Sequence, residues 1–121
     1  MDKIQLFFKP EQRLRCEADF DAVFSEPLRS RDQFFLLLAR NTNQPHPRLG
    51  LIVSKKKIRK AVHRNRVKRI TRDSFRLHQH QLPVVDVIVL AYQAAEQAER
   101  LVLRRSLDKH WEKLKKQFPT L

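Results

Sequence analysis

The sequence predicts an α+β fold, a two-layer α-β sandwich with three helices on a four-stranded sheet. Three observations predict it. Apolar runs of strand length interleave with segments of helical period. One of those helical segments carries a dense block of Arg and Lys on a single face. The chain has 121 residues, 41% hydrophobic and 32% charged, which suits one globular domain with a modest core.

The elements follow in order. Residues 1–12 show no clear period and are expected to form a flexible N-terminal arm, with a single domain over 13–118. Residues 17–24 put Phe20, Val23 and Phe24 at i, i+3, i+4 of a short helix, which Pro27 stops. A short strand is expected over 28–32. Residues 33–40 (QFFLLLAR) are a nearly continuous apolar run of strand length. Two Asn and two Pro mark 41–47 as a turn, and 49–54 (LGLIVS) is the next strand. These two strands are expected to pair as an antiparallel hairpin. Residues 55–81 read as mostly helical, ended by Pro83. The β-branched run 84–92 (VVDVIVLAY) reads as a buried strand. Residues 94–118 form a long helix whose Leu103, Leu107, His110, Trp111 and Leu114 share one face.

Charge narrows the function. The formal net charge is +13, and so basic a domain repels itself unless a polyanion compensates. No apolar run approaches the ~20 residues of a membrane span, and Leu6-Phe7-Phe8 is too short for a signal core. The one cysteine, Cys16, has no partner for a disulfide or a zinc site, and is read as a small buried or half-buried side chain. A cytoplasmic location is the expectation. The one glycine, Gly50, excludes a Gly-rich phosphate loop.

The informative segment is 55–76, KKKIRKAVHRNRVKRITRDSFR. Eleven of its 22 residues are cations: Lys55, Lys56, Lys57, Arg59, Lys60, Arg64, Arg66, Lys68, Arg69, Arg72 and Arg76. Ordinary exposed helices alternate signs, because like charges at i, i+4 repel. Here Arg64, Lys68, Arg72 and Arg76 make an unbroken ladder of one sign. At roughly 100° per residue, these four, with Asn65 and Arg69, fall within about 140°. Val67, Ile70, Ser74 and Leu77 gather opposite. The packed face and the cationic face are therefore distinct, and guanidinium groups can grip phosphate oxygens in pairs. A DNA-reading helix would follow another helix and a tight turn, whereas a strand precedes this one. RNA binding, mainly to backbone, is the best physical reading.

His63-Arg64-Asn65-Arg66-Val67-Lys68-Arg69-Ile70-Thr71-Arg72-Asp73-Ser74-Phe75-Arg76 closely resembles the signature helix of the bacterial ribonuclease P protein family. The preceding Arg48-Leu49-Gly50-Leu51-Ile52-Val53-Ser54-Lys55-Lys56 is similar to that family's strand and Lys-Lys turn. So are Arg13-Leu14, then Asp19-Phe20-Asp21-Ala22-Val23-Phe24, and Leu82-Pro83 before a β-rich run. The resemblance covers about residues 11–116 and marks 13–118 as a ribonuclease P protein-like RNA-binding domain.

The resemblance implies a left-handed strand–helix–strand crossover, although general rules favour the right-handed one. It also implies a subunit that binds a catalytic RNA and the single-stranded 5′ leader of precursor tRNA, assisting endonucleolytic removal of that leader. The chemistry would be the RNA's, with magnesium held by the RNA and no cofactor held by the protein. No membrane and no obligate protein partner are expected. Carried onto this chain, the ribozyme surface is Arg64, Asn65, Arg66, Lys68, Arg69 and Arg72, extended by Lys55, Lys56, Lys57, Arg59 and Lys60, with Arg76 at the end of the ladder. The leader cleft is Phe20, Phe24, Phe35 and Leu37. Some relatives carry an aromatic where Leu37 stands. Strand parity leaves Phe34 as the alternative to Phe35, and core packing as the alternative for Phe20 and Phe24.

A self-sufficient nuclease would need clustered carboxylates or a paired general acid and base. The acids here are scattered, and the five histidines form no ligand pattern. The competing readings are a structural, ribosomal-type RNA-binding protein, a transcription factor and a standalone nuclease.

Overall fold

The computed structural model describes residues 10–118. In chain order these form α1 (Glu17–Ser25), β1 (Leu28–Arg31), β2 (Phe35–Asn41), β3 (Arg48–Ile52), α2 (Ala61–His78), β4 (Val85–Ala91) and α3 (Arg100–Gln117), with 3₁₀ turns at Pro10–Gln12 and Gln93–Ala95. The last strand organises the sheet. All residues of β4 except Leu90 are buried, and a strand buried on both faces belongs in the middle of a sheet. The strand order is β1-β2-β4-β3, with β4 antiparallel to β2 and parallel to β3.

This order corrects the expected hairpin. β2 and β3 run in opposite directions, but β4 lies between them, so the loop 42–47 crosses two strand spacings, about 10 Å. Adjacency in sequence suggested pairing; the apolar run of β4 claimed the central position instead. The short first strand is present as β1, antiparallel to β2.

The register sorts side chains between two faces. Phe35, Leu37, Ala39, Val87 and Val89 join Val67, Ile70, Phe75, Leu107 and Trp111 in the main core beneath α2 and α3. On the other face, Leu38 and Ile88 meet Val23 of α1 and Leu14, with Phe20, Leu36, Ile52 and Leu90 packed at the margin. Phe75 and Trp111 meet edge to face with centroids 6.1 Å apart, and the Trp111 indole N–H donates to Ser74 Oγ at 2.8 Å. That bond satisfies both polar groups inside the core.

Two helical expectations ran long. Residues 55–60 precede α2 as a turn and extended segment. The helix begins only at Ala61, with Lys60 as its N-cap, and five of the six residues before it are cations. The last helix begins at Arg100 rather than 94. Backbone carbonyls of Glu96 and Ala98 accept from the Arg66 guanidinium instead of from a helical ladder. Residues 1–9 of the expected arm lie outside the described residues. Residues 10–14 are docked: Leu14 N–H donates to Leu49 O at 2.9 Å, and the buried Gln12 amide meets that of Gln79. Cys16 is exposed at the start of α1, not buried.

A buried polar cluster ties α3 to the β1–β2 turn. His110 is 2% exposed. Its Nδ1 lies 2.6 Å from Ser30 Oγ, and its Nε2 lies 3.2 Å from Asp32 Oδ2. Asp32 accepts from the Ser106 hydroxyl and, at 2.8 Å each, from the N–H groups of Phe34 and Phe35. Burial would raise the Asp32 pKa, but the Ser106 hydroxyl, the two backbone donors and His110 together hold it below its ordinary value. Burial lowers the His110 pKa, against the opposing pull of Asp32.

Two outcomes are expected. The unfolded chain takes up a proton at His110 at a higher pH than the folded chain does, so stability is full above 6.5 and falls as pH drops below it. Urea midpoints at about pH 8 and about pH 5 should show this fall, and His110→Asn should flatten it. An equal slope in the variant would remove His110 as its source. The second concerns Gly50, where an added Cβ would stand 2.8 Å from Phe20 Cζ and 3.2 Å from Leu14 Cδ1. Gly50→Ala should displace the Phe20 ring at a cost below about 1 kcal/mol, because the ring tip can swing outward. Gly50→Val should cost about 1–3 kcal/mol. Denaturation together with aromatic NMR shifts of Phe20 reads both effects.

Candidate nucleic-acid interface

The turn from β3 into α2 is a scaffold for charge. Ile58 is fully buried and anchors it to the core. Its N–H donates to Ser54 O at 3.0 Å, and the Arg64 guanidinium donates to the carbonyls of Ile58 and Arg59 at 3.0 and 2.6 Å. With the backbone held, Lys55, Lys56, Lys57, Arg59 and Lys60 all project into solvent. Along α2, Asn65, Arg69 and Arg72 are exposed, whereas Arg64, Arg66, Lys68 and Arg76 are half-buried.

The half-buried cations have local work. Arg66 donates to Ala98 O at 2.7 Å and Glu96 O at 3.5 Å, which fastens α2 to the loop before α3. His63 Nδ1 sits 2.8 Å from Glu96 Oε2 in the same place. Arg76 lies 3.9 Å from Asp73. Lys68 and Arg72 line a depression of 180 Å³ with Phe20, Leu14, Leu49 and Leu51, at the β3 edge. This depression joins the cationic face of α2 to the far face of the sheet.

That far face is only partly covered. α1 lies across its middle, held by the Arg48 fork. Arg48 Nε and Nη2 donate to Asp86 at 2.8 and 2.7 Å, and Nη2 approaches Asp19 of α1 at 3.5 Å. The hydrogen bond to Asp86 raises the Arg48 pKa, against burial, so the clamp stays charged. Arg40 adds a bond to Ala22 O at 2.5 Å. Towards the opposite end of the strands, Leu36, Ile52 and Leu90 remain half-exposed. Phe20 lies over the backbone of Gly50, and Phe24 is 43% exposed with its ring centroid 6.5 Å from that of Phe20.

Two of the four expected cleft residues are elsewhere. Phe35 and Leu37 are each 0% exposed and lie in the main core under α2 and α3. The parity of β2 places Leu36 and Leu38 on the open face instead. Phe34, the alternative, sits at the β1–β2 turn and packs on the main core as well. Tyr92, two residues beyond Leu90, continues its parity and adds a third aromatic to Phe20 and Phe24 at the border of the open face; it was not among the expected site residues. Lys57 Nζ stands 4.5 Å from its ring centroid and the Arg31 guanidinium 6.0 Å. Its signal was available: Tyr92 follows Ile88 and Leu90 at strand period.

The ribonuclease P family model matches residues 8–115. The ribonuclease P protein component of Methylococcus capsulatus is 47% identical over 104 residues, 86% of this chain and 81% of that protein. That of Acinetobacter baylyi is 44% identical over 111 residues, 91% of this chain and 85% of that protein. The chain belongs to the ribonuclease P protein family.

Solved members of the family share the fold. The Staphylococcus aureus RNase P protein superposes with a TM-score of 0.79 at 33% identity, covering 88% of this chain and 97% of that one. The Thermotoga maritima RNase P protein does so with 0.75 at 27%, covering 84% and 96%. Family membership makes this chain a tRNA-processing subunit of ribonuclease P and makes the ribonuclease P RNA its partner. The competing readings gain no support from these relatives. Among the described residues there is no group of three or more His, Cys, Asp or Glu placed to hold a metal, and no helix long and apolar enough to cross a membrane.

The division between exposed and scaffolding cations generates a test. Arg69→Ala with Arg72→Ala should leave folding intact, weaken binding to the family's RNA and reduce the salt slope of log K by about 1–2. Arg66→Ala should instead lower stability by about 1–3 kcal/mol, since it strips donors from two loop carbonyls. Salt-titrated RNA binding and urea unfolding separate the two.

Proposed function

We propose that the exposed cations of 55–60 and α2 dock the catalytic RNA, and that the open face of the sheet holds the single-stranded 5′ leader of precursor tRNA. The observation that carries this reading is the pairing of two unlike surfaces. One is a field of exposed Lys and Arg around Asn65. The other is an apolar face bordered by the aromatics Phe20, Phe24 and Tyr92, with Lys57 and Arg31 beside the Tyr92 ring. Backbone neutralisation suits folded RNA, and aromatic platforms with flanking cations suit unpaired bases. Asn65 can donate to or accept from a 2′-hydroxyl.

In this reading the protein brings charge and grip, and the RNA performs the phosphodiester hydrolysis with magnesium that it holds itself. The engagement of the acids near the face supports that division. Asp19 and Asp86 are tied to Arg48, and Glu96 lies against His63. Each carboxylate thereby orients a neighbour instead of pointing to an open site. Phosphates neutralised by the protein also lower the magnesium concentration that the folded RNA needs, because less mutual repulsion opposes it. The ribonucleoprotein so formed would be cytoplasmic.

The deciding experiment is cleavage of a precursor tRNA at low magnesium by a bacterial ribonuclease P RNA, with and without this protein. Restored 5′ cleavage by the mixture, with none by the protein alone, is the expected result. Cleavage by the protein alone would overturn the division of labour. For the leader, Phe24→Ala should weaken precursor binding by about 1–3 kcal/mol while sparing mature tRNA and assembly. Equal losses for precursor and mature tRNA would take Phe24 out of the leader face.

A further inference from the structure

A second concave surface lies beyond the end of the open face, between the β1–β2 turn and α3. It encloses 510 Å³ and is lined by Gln33, Phe34, Val102, Arg105 and Lys109, with Asp32 and Ser106 at its base. Val102, Arg105 and Lys109 recur at i, i+3, i+7, so one stripe of α3 forms its wall. Val102 is 38% exposed, a large apolar side chain left uncovered, and Phe34 is half-buried beside it.

The groove is rigid. Asp32 caps the turn through the N–H groups of Phe34 and Phe35, and bonds the Ser106 hydroxyl on α3. Its negative charge is engaged by these donors, with His110 Nε2 3.2 Å away. The two cations of the rim are different. Neither Arg105 nor Lys109 has a hydrogen-bond or ion-pair partner among the described residues, and both are exposed one helical turn apart. The Gln33 amide is likewise unengaged. Two unpaired cations and an amide beside the aromatic Phe34 and the aliphatic Val102 match a nucleotide: phosphate at the rim, base against the two apolar side chains.

The groove also lies on a path. Tyr92 N–H donates to Phe34 O at 2.8 Å, so the groove begins one hydrogen bond from the aromatic that borders the open face. Lys57 and Arg31 flank that ring. A strand leaving the open face past Tyr92 thus meets Phe34 next, then Arg105 and Lys109. We propose that this groove binds the 5′-distal nucleotides of the leader, as a second single-strand site separate from the open face. The proposal rests on the leader reading given above.

The test uses the holoenzyme reconstituted with ribonuclease P RNA, and a nested set of precursors whose leaders are shortened one nucleotide at a time from the 5′ end. Wild-type affinity should fall in two steps, the distal nucleotides first. Arg105→Glu with Lys109→Glu, both at exposed helical positions, should abolish the distal step, about five- to tenfold in Kd. Short-leader precursors and mature tRNA should bind as they do to wild type. Gln33→Ala should give a smaller loss on the same long leaders only. No loss on any leader would overturn the assignment. So would an equal loss on all leaders and on mature tRNA, which would make this patch a contact with the ribozyme or the tRNA body. If Phe24→Ala removes the short-leader preference while the double variant keeps the distal step, the groove alone is wrong. If wild type binds precursor no tighter than mature tRNA, the leader reading fails and the groove assignment falls with it.

Discussion

Two-sided burial of β4 is the constraint from which the architecture follows. A strand whose faces are both covered needs a layer on each side. α2 and α3 supply one complete layer, closed by Trp111, Phe75 and the leucines of α3. The other face receives only α1, a helix of nine residues. So short a helix cannot cover four strands, and part of that face remains open. The same constraint therefore makes the main core and the uncovered surface beside Phe20 and Phe24.

The distribution of charge follows a second logic. A chain of net charge +13 carries a self-repulsion that its fold has to accommodate. Some of its cations are accordingly turned to internal use. Arg48 joins α1 to the sheet through Asp86 and Asp19, and Arg64 and Arg66 bind loop carbonyls. Arg48 is neutralised by its two carboxylates, whereas Arg64 and Arg66 keep their charge but commit their donors to loop carbonyls. Those remaining in solvent cluster on the 55–60 turn and on one side of α2, where a polyanion can meet them together. Arg105 and Lys109 form a smaller group on α3, across the β1–β2 turn. The exposed cationic surface is thus what remains after the fold has met its own structural needs.

Much of this was legible in the sequence. The period of residues 17–24, the strand-like runs and the basic helix lie within single elements, where side-chain spacing reports secondary structure directly. The motif from Arg48 to Arg76 also carried the family. The expected hairpin was wrong because strand order depends on which apolar run needs two covers, and β4 lies more than thirty residues along the chain from β3. Phe35 and Leu37 were misplaced because a run as apolar as FFLLLA has no alternation to show which parity faces the helices.

By itself the sequence determined the elements, the separation of α2 into a packed side and a cationic side, and membership of a ribonuclease P protein family. Those properties are local, since helical and strand periods are set within a few residues of chain. Only the tertiary structure decided that β4 sits between β2 and β3, that Leu36 rather than Phe35 faces the open side, and that Tyr92 lies beside Lys57 and Arg31. It alone separated Arg69 and Arg72, free in solvent, from Arg64 and Arg66, bound to carbonyls. The physical reason is common to all of these: the role of a side chain depends on what lies across from it, and that neighbour is distant in sequence.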